Sequence, residues 1–208
     1  THTHTHTAKP FFGLWKCDIK KFFDSVDQEV LLKILFLRIK DSITFSLLKE
    51  VIFSYTTVPG KRVGMPIGNL TSQIFANIYL NELDRFVKHQ LKPKAYLRYG
   101  DDFIVIENVA DLEKLKNSRA RIVDFLEKEL KLAVNSKSDR IFKFRRGLKY
   151  LGVKLWPTGR KVTRRNLDRV KNRLKLNNIS SYSGLVGKHG NHKLKREFNW
   201  LVCGLLDR

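Results

Sequence analysis

Three carboxylates stand out by their placing. Asp18 closes a run of strand-forming residues, LWKCDI (14–19), and Asp101 and Asp102 lie side by side in YGDDFIVI (99–106). Adjacent like charges at a tight turn repel one another, and a cation relieves that repulsion. Carboxylates on a strand end and a hairpin tip are hard oxygen ligands of the kind that two divalent ions about 3.5–4 Å apart require. Such a pair activates a hydroxyl nucleophile and steadies a departing pyrophosphate, the chemistry of nucleotidyl transfer. An Asp-Asp pair alone also fits an ordinary turn.

The rest of the chain supplies a context for these acids. Lys and Arg number 41 against 20 Asp and Glu, a formal charge of +21. So large a surplus points to a polyanion, with nucleic acid first and an anionic membrane as competitor. No apolar run approaches the roughly 18–20 residues of a membrane span, and nothing resembles a signal peptide. Residues 137–175 hold fifteen Lys or Arg and two acids, Asp139 and Asp168, with Phe142, Phe144, Tyr150 and Trp156 interleaved. A solvated face is the plain reading of a charge run, but this length and interleaving fit a phosphate-tracking surface better. Cys17 and Cys203 show no metal spacing and need not pair, which fits a reducing cytosol.

The elements that must position the acids follow from periodicity. THTHTHT at the start is a low-complexity leader (1–10). Residues 28–40 and 43–55 read as helices, the first capped by Asp27 or Ser25. Pro59, Gly60, Gly64, Pro66 and Gly68 make the next segment a loop, and a helix resumes over about 70–90 until Pro93. Residues 95–107 form a hairpin with Gly100, Asp101 and Asp102 at its tip, and 111–131 an amphipathic helix opened by Asp111. Two or three short strands follow up to Trp156. After Pro157 the reading is helical: a basic helix over about 163–177, a Ser/Gly-rich turn region, and a last helix over about 191–206, with His189 and His192 as polar surface. The class is α+β with a small antiparallel sheet.

The segments KCDIKKFFDSVD (16–27), GMPIGNLTSQIFANIYLNELD (64–84) and YLRYGDDF (96–103) resemble, in order and spacing, the palm motifs of reverse transcriptases. SKSDRIFKF (136–144) and GLKYLG (147–152) are similar to the two motifs that follow, and the resemblance covers roughly residues 13–208. It implies a polymerase palm with residual fingers helices (11–156), a small antiparallel sheet flanked by helices, and then a helical thumb (157–208). It implies an RNA-directed DNA polymerase using two Mg²⁺ ions, or Mn²⁺. Asp18, Asp101 and Asp102 would be the catalytic metal ligands, joined by the Ile19 carbonyl. Phe23 would block a ribose 2′-hydroxyl and select deoxynucleotides, whereas Phe22 reads as core. Tyr99 precedes the Asp pair in the substrate site. Lys137 would protonate pyrophosphate or touch the incoming phosphates, with a backbone-phosphate contact as its alternative. Arg164, Arg165, Arg169 and Lys171 would face the duplex backbone.

Most of the family carry Gln where this chain has Ile67. The Ile67-Gly68-x-x-x-Ser72-Gln73 turn resembles the branch found in diversity-generating retroelements of bacteria and phages, with group II intron-like, retron or defence enzymes as rivals inside the family and a non-catalytic or truncated RNA-binding palm fragment as the rival outside it. These copy a template RNA with frequent errors at adenines. A Gln beside the nascent base pair leaves its polar groups unsatisfied when the pair is wrong, whereas an Ile only packs, so Ile67 should relax fidelity. The alternative is a turn residue facing a core. Gly68 and Gln73 complete the substrate-binding set, with Gln73 expected to order the turn. The resemblance further implies template RNA, primer or cDNA and dNTPs as partners, a basic accessory protein, a cytoplasmic setting and no membrane. Only about a dozen residues precede the first catalytic strand, so the family's fingers are expected to be missing, from either a fragment or a degenerate copy.

Overall fold

The computed structural model describes residues 12–108, 112–156 and 158–206; the Thr-His leader and the Asp111 cap lie outside them. The chain divides into two compact units, Thr1–Phe142 and Lys143–Arg208.

The first unit is built on a four-stranded sheet of β1 (Phe12–Asp18), β2 (Ala95–Tyr99), β3 (Asp102–Asn108) and β4 (Arg140–Lys143), in the order β2-β3-β1-β4. β3 pairs antiparallel with both β1 and β2. Successive side chains alternate between faces, so Trp15 and Cys17 share one face with their partners Val105 and Phe103. All four are fully buried, and the Trp15 and Phe103 rings meet edge to face at 5.3 Å. Two helices supply the opposing layer. α4 (Leu70–Arg85) contributes Tyr79, Leu80 and Leu83, and α5 (Leu112–Lys128) contributes Leu115, Ile122 and Leu126, at helical spacing. Each such side chain is worth about 1.5–3 kcal/mol on burial. Phe22 joins this core, in edge-on contact with Phe23 and Tyr79.

Shorter helices α1 (Phe22–Ser25), α2 (Gln28–Phe36) and α3 (Ser42–Phe53) lie between β1 and α4. Asp27, rather than Ser25, caps α2, its Oδ1 accepting from the Val30 N–H at 2.9 Å. Both α2 and α3 stop short of the expected 40 and 55. α4 runs into a π-helical turn, Phe86–Leu91, which ends at Lys92 in the left-handed conformation just before Pro93.

The second unit holds a three-stranded antiparallel sheet, β5 (Leu148–Tyr150), β6 (Val153–Trp156) and β7 (Gly159–Val162), followed by α6 (Arg164–Arg173), α7 (Ile179–His189) and α8 (His192–Leu206). Two expectations are corrected here. The segment after Pro157 opens with a strand, because Gly159 is the Cα partner of Trp156 and GRKV pairs with β6. With one apolar residue in four, that strand carried no readable pattern. The Ser/Gly-rich stretch is helix α7, with Gly184 and Gly187 inside it and Gly190 at its C-terminal cap. Val186 of α7 is what secures it, packed with Val170 and Phe198 in a small core. The compact units meet at Phe142/Lys143, ahead of the 156/157 limit expected from the motifs, since β5–β7 form a sheet of their own.

The Tyr79 hydroxyl donates to the Leu130 carbonyl at 2.7 Å in the buried core, tying α4 to the chain leaving α5. Tyr79→Phe strands that carbonyl, and chemical denaturation should show a loss of about 1–2 kcal/mol with an unchanged m-value.

Candidate active site

β1 ends at Asp18 and β3 begins at Asp102, and these two residues are Cα partners across the antiparallel pair. Their side chains therefore emerge on one face, opposite to that of Trp15 and Phe103. Asp101 lies on the turn between β2 and β3, and its carbonyl accepts from the Ile19 N–H at 3.3 Å. The sheet thus brings Asp18, Ile19, Asp101 and Asp102 to one edge. Lys16 stands two residues before Asp18 on the same face, and its Nζ lies 2.5 Å from Asp102 Oδ1.

The loop before β4 wraps around Asp18. The Asn135 N–H donates to the Asp18 carbonyl at 2.9 Å, and Asn135 Nδ2 donates to Asp18 Oδ2 at 3.1 Å. The Asp18 N–H donates to Ser138 Oγ at 3.2 Å. Asp139 fastens this loop to the sheet, accepting from Trp15 Nε1 at 2.7 Å, from Arg119 Nε at 2.9 Å and from Arg119 Nη2. The Arg119 guanidinium holds the Asp139 carboxyl below its ordinary range, against the opposing effect of burial. Lys137 is exposed on the same loop, its N–H donating to Asn135 Oδ1 at 3.1 Å.

Electrostatics set the three acids apart. Burial pushes the Asp101 carboxyl up, and the neighbouring charges of Asp18 and Asp102 push the same way, opposed by its own backbone N–H and by Lys16. Cys17, beneath the site, is pushed up to about 12 by burial first and then by Asp139 and Asp18, which keeps it an unreactive thiol. Among the described residues no three His, Cys, Asp or Glu side chains are arranged to hold a metal ion; the Asp102 carboxylate is drawn instead to Lys16. The donor set nonetheless fits a hard cation. Asp18 Oδ1 is buried with no hydrogen-bond donor, and Asp101 is a half-buried carboxyl beside two others. Asp18 and Asp101 would hold such an ion most directly.

Phe23, Gln73, Tyr99 and Gly100 line one cleft of about 680 Å³ beside the acidic turn. Gln73 sits in the first turn of α4, its N–H donating to the Asn69 carbonyl at 3.3 Å. Ile67 lies outside that cleft and is 75% exposed, so the core-facing alternative is excluded. Gly68 beside it takes φ +95°, a conformation that favours glycine. The loop that leads to this turn is fastened from below. The Met65 N–H donates to the Phe23 carbonyl at 2.7 Å and the Gly64 N–H to the Val26 carbonyl at 2.8 Å. Buried Gln28 donates from Nε2 to the carbonyls of Tyr55 at 2.6 Å and Gly64 at 2.9 Å.

Two positions escaped the sequence reading. Arg98 donates to Asp84 of α4 through Nε at 2.8 Å and Nη2 at 2.7 Å, and through Nη1 to the Gly100 carbonyl at 2.9 Å. Tyr96 adds a hydroxyl donor to Asp84 at 2.8 Å. Burial pushes the Asp84 carboxyl up, but these bonds outweigh it and hold the group below the usual range. The hairpin tip is thereby tied to α4. The other position is Asn135. A polar residue on a loop carries no local signal of the distant carboxylate that it meets.

In the second unit, Lys149, Lys154, Lys161, Arg164, Arg165 and Arg169 line a groove of about 920 Å³ against the β5–β7 sheet. Lys154 Nζ lies 4.7 Å from the centre of the Trp156 ring. Lys171 is elsewhere, 3.6 Å from Glu197 of α8.

The profile of the reverse transcriptase (RNA-dependent DNA polymerase) family matches residues 3–155, most of the chain. The chain belongs to the reverse transcriptase family. Among curated relatives, the chain is 38% identical over 101 residues to the group II intron-encoded protein LtrA of Lactococcus lactis, covering 45% of this chain and 17% of LtrA. It is 28% identical over 182 residues to protein YkfC of Escherichia coli, covering 69% of this chain and 47% of that protein. The chain thus spans less than half the length of either relative. Its fold is similar to that of Candida tropicalis telomerase solved with a TWJ fragment of telomeric RNA, with a TM-score of 0.61 at 16% identity, over 86% of this chain and 34% of the telomerase. The telomerase of Candida albicans, solved with the same kind of RNA fragment, gives a TM-score of 0.58 at 14% identity over 95% and 40% of the two chains.

Because the folded state raises the Asp101 pKa, it holds the ionised carboxylate less well than the unfolded chain does. The resulting penalty is absent below the ordinary value of 3.8 and complete above the folded pKa. Asp101→Asn should therefore raise the melting temperature at pH 7, and the gain over the parent should vanish as the pH falls toward that value.

Proposed function

We propose that this chain carries the palm and thumb of an RNA-directed DNA polymerase of a diversity-generating retroelement, copying template RNA into cDNA with low fidelity at adenines. The observation that carries the reaction class is the register that sets Asp18 opposite Asp102, with Asp101 bonded to Ile19 at the same edge. When bound, two Mg²⁺ or Mn²⁺ ions would activate a primer 3′-hydroxyl and neutralise the leaving pyrophosphate, held by Asp18, Asp101, Asp102 and the Ile19 carbonyl. The chain's own residues do the rest. Phe23 walls the cleft where a 2′-hydroxyl would sit, Tyr99 and Gln73 flank it, and exposed Lys137 meets the phosphates. Gly68 sets the turn, and the exposure of Ile67 supports its role, since an apolar side chain free of the core is available to pack on a nascent base pair. Arg164, Arg165 and Arg169 bind template–primer backbone in their groove, with Lys171 further along the same helix beside Glu197 of α8.

A second reading, a group II intron-type reverse transcriptase, is favoured by the similarity to LtrA. Both readings take template RNA, primer or cDNA and dNTPs; the retroelement reading adds a basic accessory protein. Both place the protein in a bacterial cytoplasm, and no described helix is long and apolar enough to cross a membrane.

Primer extension on an RNA template with Mg²⁺ and dNTPs tests the proposal, with products sequenced from the parent chain, Asp101→Ala/Asp102→Ala and Ile67→Gln. Extension lost in the double variant and errors at template adenines reduced by Ile67→Gln are the expected results. Adenine errors that persist unchanged in Ile67→Gln remove the role of Ile67, whereas extension without adenine errors in the parent favours the group II-type reading. Equal duplex binding with no extension by any chain would leave a nucleic-acid-binding fragment. Removing Arg164, Arg165 and Arg169 together should flatten the slope of log affinity against log salt by about one per lost phosphate contact.

A further inference from the structure

We infer that Asn135 is a positioning residue that dedicates one oxygen of Asp18 to cation binding. The inference rests on the two-metal reading above. A carboxylate offers two oxygens, and an ion bound by one of them needs the other held, or the group turns about its own axis. Asn135 Nδ2 donates to Asp18 Oδ2 at 3.1 Å, while Oδ1, buried, meets no donor at all. The two oxygens of one carboxylate are thus chemically distinguished, one held by a neutral amide and one left with its lone pairs unused.

A neutral donor suits this task. A Lys or Arg in the same place would neutralise Asp18 and compete with a cation, as Lys16 does at Asp102. The amide instead fixes the oxygen without discharging it, in the manner of partners that orient metal-binding carboxylates. Asn135 is in turn held at every polar group the arrangement uses. Its N–H donates to the Asp18 carbonyl at 2.9 Å, its carbonyl accepts from Ser138 Oγ at 3.1 Å, and its Oδ1 accepts from the Lys137 N–H at 3.1 Å. That last bond assigns the amide: with Oδ1 turned to a backbone donor, Nδ2 must face Asp18. Ser138 closes the loop by accepting from the Asp18 N–H at 3.2 Å, and Asp139 clamps it to Trp15 and Arg119. The loop therefore grips Asp18 by its N–H, its carbonyl and one carboxylate oxygen, and leaves the fourth polar atom alone.

The test is Mn²⁺ binding to the whole chain, followed by electron paramagnetic resonance without nucleotide or nucleic acid, in the parent, Asp18→Asn, Asn135→Ala and Asn135→Ser. Ser keeps a short acceptor for the Lys137 N–H but cannot reach Asp18, so it serves where the Ala variant folds poorly. The expected result is parent binding that Asp18→Asn abolishes, and a roughly tenfold weaker affinity in both Asn135 variants at temperatures where they remain folded. Parent-like Mn²⁺ affinity in folded Asn135→Ser, with Asp18 still required, overturns the positioning role and leaves the two-metal reading standing. Mn²⁺ binding that does not depend on Asp18 overturns both.

Discussion

The antiparallel register of β1 and β3 is the constraint on which the site depends. It places Trp15 against Val105, Cys17 against Phe103 and Asp18 against Asp102. A slip of one residue would turn Trp15 and Cys17 away from α4 and α5 and bring Lys16 and the acids into the core. The loss of several buried side chains and the burial of charges both oppose that slip, each by several kcal/mol. The carboxylates accordingly owe their position to the packing of the other face. Chemistry at this edge is built on hydrophobic burial a few ångströms beneath it.

Around the acids, ion pairs act as fasteners more than as sources of stability. Arg98 with Asp84 ties the hairpin tip to α4, Arg119 with Asp139 ties the Asn135 loop to β1, and Lys16 reaches Asp102 on the sheet face. Partly buried pairs return little net free energy after desolvation, but the two arginine pairs each make two hydrogen bonds of fixed direction. They restrain backbone segments that come from distant parts of the sequence. The result is uneven by design of the fold: Asp102 is paired with a cation, Asp18 is half satisfied, and Asp101 is left with a raised pKa.

The turn at Ile67 follows a similar logic in a loop. Gln28, Phe23 and Val26 hold the backbone at Gly64 and Met65, and Gly68 then allows the chain to turn into α4. Ile67 is left exposed while Ser72 and Phe75, a turn further along, are buried. In the second unit a basic groove forms because lysines of a short sheet and arginines at the start of α6 project to a common space, with Trp156 among them. A high density of positive charge at one place is tolerated there because the side chains are long and their ends remain in water.

The sequence by itself determined the reverse transcriptase motifs, the hairpin that carries Asp101 and Asp102, the helices α2 to α5 and the core place of Phe22, and it narrowed the cap of α2 to Asp27 or Ser25. These are local properties: a period of two or 3.6, a turn residue, a capping oxygen, or a motif of fixed spacing. What only the tertiary structure decided is which distant groups meet. Asn135 reaches Asp18, Asp84 of α4 orients Arg98, Lys16 takes Asp102, and Lys171 turns to Glu197. The strand Gly159–Val162 and the helix Ile179–His189 belong to the same class, since β6 and the Val170–Phe198 core stabilise segments whose own residues favour neither state strongly. Pairing and burial are contacts across the fold, and a polar or glycine-rich stretch carries no record of the surface that will cover it.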